Sequence, residues 1–218
     1  VINFLPGDGE TVGDPILNNS NLAGVHFTGS TSTFNHIWKT IGSNIDKYKT
    51  YPRIVGETGG KDFCLAHNSC DTDVLVTSMI RGAFEYQGQK CSAMSRAYIP
   101  KSIWPTVEQK LINEVKKIKV GSPKDTSNFM NAVIDKNAFD NIVKYIDYAG
   151  NHDNAEIIYG GNFDDSKGYF IDPTIILTSD PKFKTMVEEI FGPVLTIFLY
   201  EDEDLSLIHI SEPTRRRT

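Results

Sequence analysis

Val25-His26-Phe27-Thr28-Gly29-Ser30-Thr31-Ser32-Thr33-Phe34 reads as a short apolar strand that stops at a glycine and runs into a helix. Beyond it Phe34, Ile37, Trp38 and Ile41 recur at three- and four-residue spacings, which puts them on one face of a helix over 33–45. Arg53-Ile54-Val55-Gly56-Glu57 is the next strand, broken at Gly59-Gly60. Strand, helix and strand within about 35 residues is the rhythm of a βαβ unit and a parallel sheet. The class is α/β.

The pattern continues on both sides. Val1 to Leu5 is a strand candidate followed by the turn Pro6-Gly7-Asp8-Gly9, and these opening residues look like the interior of a domain rather than its natural start. Downstream, a helix runs from the capping candidates Asp71 and Thr72 to about Tyr86, ending at Gly88. A short strand ends over 97–100. Val107, Leu111, Val115 and Ile118 share one side of a helix over 104–120, with lysines and glutamates opposite. Phe139, Ile142, Val143 and Ile146 do the same over 135–149. Residues 157–159, 169–171 and 194–200 read as strands. There is no internal repeat, and both amphipathic helices are read as covering a sheet.

The 218 residues, 39% hydrophobic, suffice for one sizeable core or parts of two domains. No apolar run is long enough to cross a bilayer as a helix. The net charge is −6, and the final 14 residues carry +2 of it, leaving −8 on the rest. That balance argues against a nucleic-acid partner. Cys64, Cys70 and Cys91 fit neither a disulfide framework nor a zinc ligand set, so a reducing compartment with a functional thiol is the simpler reading.

Four segments carry chemistry. In Gly88-Gln89-Lys90-Cys91-Ser92-Ala93 the thiol follows a helix-ending glycine, where a substrate can approach it and backbone N–H groups can hold an oxyanion. In Gly56-Glu57-Thr58-Gly59-Gly60-Lys61 a carboxylate closes an apolar strand; in a half-apolar pocket it would accept a proton from water. Phe27-Thr28-Gly29-Ser30-Thr31-Ser32-Thr33 offers a helix N-terminus and hydroxyls to a phosphate. Glu188-Glu189-Ile190-Phe191-Gly192-Pro193-Val194 precedes a strand; taken alone, its acid pair would be solvated and Phe191 would be core.

In this order, with Cys91 34 positions after Glu57, these segments resemble the aldehyde dehydrogenase superfamily. The resemblance runs from Val1 to about Asp204. Phe84-Glu85-Tyr86-Gln87-Gly88-Gln89-Lys90-Cys91-Ser92-Ala93, His26-Phe27-Thr28-Gly29-Ser30 and Gly168-Tyr169-Phe170 are similar to the Δ1-pyrroline-5-carboxylate dehydrogenase subfamily. The resemblance implies an aldehyde dehydrogenase fold truncated at both ends. Residues 1–57 would be the C-terminal part of an NAD-binding domain, and 58–204 part of a catalytic domain. It implies Cys91 as nucleophile, Glu57 as the base that activates water, and Ser92 as a substrate contact. Gly29, Ser30, Thr31, Ser32, Thr33, Glu189 and Phe191 would line the NAD site, with no metal. The substrate would be the small-molecule aldehyde L-glutamate γ-semialdehyde, with another aldehyde as the alternative. A CoA-acylating relative would dispense with Glu57. A cysteine hydrolase would need a base from His26, His36, His67, His152 or His209, none of which sits in a recognisable motif.

The resemblance further implies a homo-oligomer at full length, in the cytoplasm of a bacterium or the mitochondrial matrix of a eukaryote, with neither a nucleic-acid nor a membrane partner. Segments that the family uses upstream and downstream are absent, so the isolated 218 residues are expected to be inactive. Residues 205–218, opening Leu205-Ser206-Leu207-Ile208-His209, depart from the pattern and read as a non-native, adapter-derived tail.

Overall fold

The computed structural model describes residues 2–202, and the proposed tail over 205–218 lies outside them. The chain divides into two compact units, Val1–Gly59 and Gly60–Thr218. Among the described residues, no helix is long and apolar enough to cross a membrane.

In the first unit a short helix, α1 (Asp14–Leu17), precedes strand β1 (Gly24–Thr28), helix α2 (Thr31–Ser43) and strand β2 (Arg53–Glu57). The two strands pair in parallel, with Thr28 opposite Glu57 at their C-terminal ends. Ile37 and Ile41, one turn apart on α2, are buried with Leu17 and Leu22 against half-buried Val25, Phe27 and Ile54. The helix begins at Thr31, two residues before the apolar pattern, because Ser30 caps it: the Ser30 Oγ accepts from the Thr33 N–H at 3.1 Å. The strand expected over the opening residues is not formed. Residues 2–8 are irregular, Ile2 is 99% and Phe4 88% exposed, and no strand among the described residues lies alongside them to pair their backbone.

The second unit contains β3 (Asp62–Leu65), α3 (Thr72–Phe84), β4 (Met94–Pro100), α4 (Trp104–Val115), α5 (Lys136–Gly150), β5 (Ala155–Tyr159), β6 (Phe163–Asp164), β7 (Phe170–Ile171), β8 (Thr174–Thr178), α6 (Lys184–Val187) and β9 (Val194–Tyr200). The sheet order is β3-β4-β9-β8-β5; the first four strands run parallel and β5 closes one edge antiparallel. Alternation splits the strands between two cores. Ala97, Ile99, Ile175, Leu195 and Ile197 face α3 and α4, through Met79, Phe84, Val107 and Leu111. Tyr98, Ile176 and Val194 face α5 and α6, through Phe139, Ile142, Ile146 and Met186. Each buried Val, Leu, Ile, Phe or Met among them contributes roughly 1.5–3 kcal/mol relative to exposure.

Three boundaries move for local reasons. Asp71 and Asp135 act as N-caps, so α3 starts at Thr72 and α5 at Lys136. The helix expected to reach residue 120 stops at Val115, because the Lys119 carbonyl accepts from the Phe129 and Met130 N–H groups and Val120 bridges Met130.

Candidate active site

Parallel pairing brings the ends of β1 and β2 together, and with them two of the motifs. The Gly29 N–H donates to the Glu57 carbonyl at 3.1 Å, so the strand end carrying Glu57 is tied to the turn that starts α2. There the Ser30 Oγ lies 3.0 Å from the Ser32 Oγ and 2.8 Å from the Thr33 Oγ1. Glu57, Gly29, Ser30, Thr31, Ser32 and Thr33 are all exposed. The half-apolar pocket expected around Glu57 is therefore not formed by its own unit. The sequence places the carboxylate at the last residue of a strand, and there the chain leaves the sheet. What results is a helix N-terminus with free N–H groups and three hydroxyls at the C-terminal edge of a parallel pair, an arrangement suited to a phosphate.

In the second unit three segments meet. Cys91 and Ser92 are exposed at the tip of a turn closed by the Ala93 N–H donating to the Lys90 carbonyl at 3.0 Å. The Gly60 N–H donates to the Glu189 Oε1 at 3.1 Å. A Cβ at Gly60 would lie 2.7 Å from the Cys91 carbonyl oxygen, so only glycine lets this strand start approach the thiol-bearing turn. Glu189 and the backbone of Cys91 thus both meet the chain at Gly60. Phe191 is 43% exposed rather than core, with a left-handed φ of 56°. That conformation costs an L-residue about 1–2 kcal/mol.

The approach to Cys91 is strained. Tyr86 and Gln87 have φ of 53° and 58°, and Gly88 follows at 65°. Gly88 cannot be replaced, since its Cβ would sit 2.3 Å from the Gly192 carbonyl oxygen and 2.8 Å from that of Ala83. That contact seats the thiol-bearing turn on the Glu188–Pro193 segment. Two adjacent L-residues in left-handed backbone shortly before an exposed thiol are the kind of strain that clusters at functional sites.

Several contributors carry no role in the sequence reading. Lys61 is half-buried, and its Nζ is sealed from solvent with no hydrogen-bond partner among the described residues. Burial brings its pKa down to about 7, with Arg96 pushing the same way and Glu189 and Glu188 pulling back. The Tyr145 hydroxyl donates to the Glu188 Oε2 at 2.6 Å, and burial together with that bond raises its pKa to about 12. Lys90 pairs with Glu85 at 2.9 Å. Gln87 and Gln89 accept hydrogen bonds from the backbone of Asn131 and Ile134. The glutamines flank Gly88 inside a recognisable motif, and that position was the available signal; Asn131 and Ile134 have none.

A family model described as "Aldehyde dehydrogenase family" matches residues 1–212. The chain is 58% identical over 204 residues to the mitochondrial delta-1-pyrroline-5-carboxylate dehydrogenase of Dictyostelium discoideum, an alignment covering 93% of this chain and 37% of that protein. It superposes with a TM-score of 0.84 at 48% identity on the Mycobacterium tuberculosis delta-pyrroline-5-carboxylate dehydrogenase crystallised with NAD, covering 90% of this chain and 36% of that one. The betaine aldehyde dehydrogenase of Staphylococcus aureus in complex with NAD+ matches with a TM-score of 0.81 at 34% identity, over 89% of this chain and 38% of that one. The chain therefore spans little more than a third of the length of these relatives.

Proposed function

The chain belongs to the aldehyde dehydrogenase family, and from that premise we propose that the whole protein oxidises L-glutamate γ-semialdehyde to L-glutamate with NAD. Similarity to proteins named for pyrroline-5-carboxylate oxidation supports this substrate over other aldehydes. The observation that carries the reading is an exposed Cys91 held against Gly60, whose N–H anchors Glu189.

In this proposal the Cys91 thiolate attacks the aldehyde carbon, the carbonyl electrons move to oxygen, and backbone N–H groups of the turn hold the oxyanion as a thiohemiacetal forms. Ser92, beside the thiol, contacts the substrate. NAD, when bound, would supply the two-electron acceptor that the oxidation of this adduct to a thioester requires. Glu57 takes a proton from water; the hydroxide attacks the thioester carbon and the Cys91 sulfur leaves as thiolate.

The residues fit the dinucleotide. Gly29, Ser30, Thr31, Ser32 and Thr33 would hold its diphosphate at the N-terminus of α2, Glu189 would accept from the nicotinamide ribose, and Phe191 would pack beside it. On this reading residues 1–57 are the end of the NAD-binding domain and 58–204 part of the catalytic domain. The whole protein would assemble as a homo-oligomer, in the mitochondrial matrix of a eukaryote or the cytoplasm of a bacterium.

The test is NADH formation by the whole protein offered glutamate γ-semialdehyde alongside unrelated aldehydes. Oxidation of that substrate is expected to be preferred and to vanish in Cys91→Ala. Undiminished oxidation by Cys91→Ala would remove the thiol from the chemistry.

A further inference from the structure

Two adjacent L-residues in left-handed backbone, Tyr86 and Gln87, lie just before the thiol-bearing turn and must be held there by their surroundings. The Gly88 contact with Gly192 holds one side. On the other, the Asn131 N–H donates to the Gln87 Oε1 at 3.0 Å, the Gln87 Nε2 donates to the Ala132 carbonyl at 3.5 Å, and the Ile134 N–H donates to the Gln89 Oε1 at 3.0 Å. The gripped segment is itself anchored. Between these contacts the Val133 N–H donates to the Tyr169 carbonyl at 2.9 Å, and Asp135, the residue after Ile134, caps the 15-residue helix α5 through the Ala138 N–H at 2.8 Å.

We propose that Gln87 and Gln89 are positioning residues for Cys91: a two-point clamp that fixes the strained turn to the backbone of residues 131–134 and so sets where the thiol stands. This rests on the reading of Cys91 as nucleophile. It also gives the Gly168-Tyr169-Phe170 motif a role, because Tyr169 braces the segment that the clamp grips. A side-chain oxygen at these two positions suits the task, since each must accept from a backbone N–H.

The two glutamines differ in one testable respect. The Gln87 amide uses both ends, whereas the Gln89 Nε2 is buried without a partner among the described residues. Gln89→Glu therefore keeps the accepting oxygen and gives up a donor that bonds nothing. Gln87→Glu would set a carboxylate oxygen against the Ala132 carbonyl. Methionine at either position keeps the length and removes the acceptor.

The experiment compares the whole protein with its Gln87→Met, Gln89→Met, Gln87→Glu and Gln89→Glu variants. It reads kcat, KM for NAD, melting temperature and the rate of Cys91 alkylation by iodoacetamide. A misplacement of the order of 1 Å costs up to about 100-fold in rate, so both methionine variants are expected to lose at least about tenfold in kcat, with KM for NAD within about twofold. The alkylation rate should move with kcat. Gln89→Glu should recover most of the loss and Gln87→Glu should not. Wild-type kcat and alkylation in Gln89→Met overturn the clamp, as does a loss that merely follows melting temperature with no difference between the methionine and glutamate variants at 89. If the wild-type protein oxidises no aldehyde, the functional reading fails by itself, and the alkylation rates still judge the clamp.

Discussion

Replacing Lys61 with methionine should change how stability depends on pH. The Lys61 Nζ is buried with no hydrogen-bond partner among the described residues, and burial is the main cause that brings its pKa from the usual 10.5 to about 7. A depressed lysine pKa means that between these two values the unfolded chain holds a proton that the folded chain does not. Unfolding then takes up a proton, and stability rises with pH across that window. Below about pH 7 both states are charged and the full desolvation cost is present; above about 10.5 it is gone. At about 1.4 kcal/mol per pH unit the ceiling is roughly 5 kcal/mol, and a little over half of it falls between roughly pH 6 and 9. Methionine has a similar length and nothing to titrate. Urea unfolding of the whole protein and of Lys61→Met, run in parallel across that range, isolates the effect because titrations remote from residue 61 are common to both. The wild type should gain about 3 kcal/mol on the variant as pH rises. A difference that stays flat would refute the argument and imply that the ammonium finds a partner.

Glu57→Gln is expected to leave a first burst of NADH equal to one turnover and then stall, because amide cannot take the proton from water; equal loss of both phases in stopped-flow would contradict the assigned role. Gly88→Ala should cost at least about 1–2 kcal/mol from its left-handed φ alone, and more from the collision with the Gly192 carbonyl, read as a lower unfolding midpoint. Gly60→Ala drives a Cβ to 2.7 Å from the Cys91 carbonyl oxygen, so kcat and Cys91 alkylation should fall together while the NAD-independent fold, followed by circular dichroism, persists.

Much of the fold was legible because periodicity is a local property. Ile37 and Ile41 on α2, Val107 and Leu111 on α4, and Phe139, Ile142 and Ile146 on α5 repeat at helical spacing, and all are buried as the pattern demands. β3 and β8 were not read. Asp62-Phe63-Cys64-Leu65 is too short to show a period, and Thr174-Ile175-Ile176-Leu177-Thr178 lies between helix-covered faces, so it carries no polar alternation. The opening residues failed in the opposite sense: Val1 to Leu5 is apolar enough for a strand, but a strand needs a neighbour, and pairing is not encoded in five residues.

By itself the sequence determined the α/β class, the helix faces and the identity of the chemical groups, because side-chain period, capping residues and the reactivity of a thiol or carboxylate are set within a few bonds. It could not say that Gly60 would carry Glu189 to the turn of Cys91, that Gly88 would seat on Gly192, or that Gln87 and Gln89 would grip residues 131–134. Nor could it show that Lys61 would lose its solvent. Those are contacts between residues tens of positions apart, and their energies exist only after the sheet has closed and expelled water from between them.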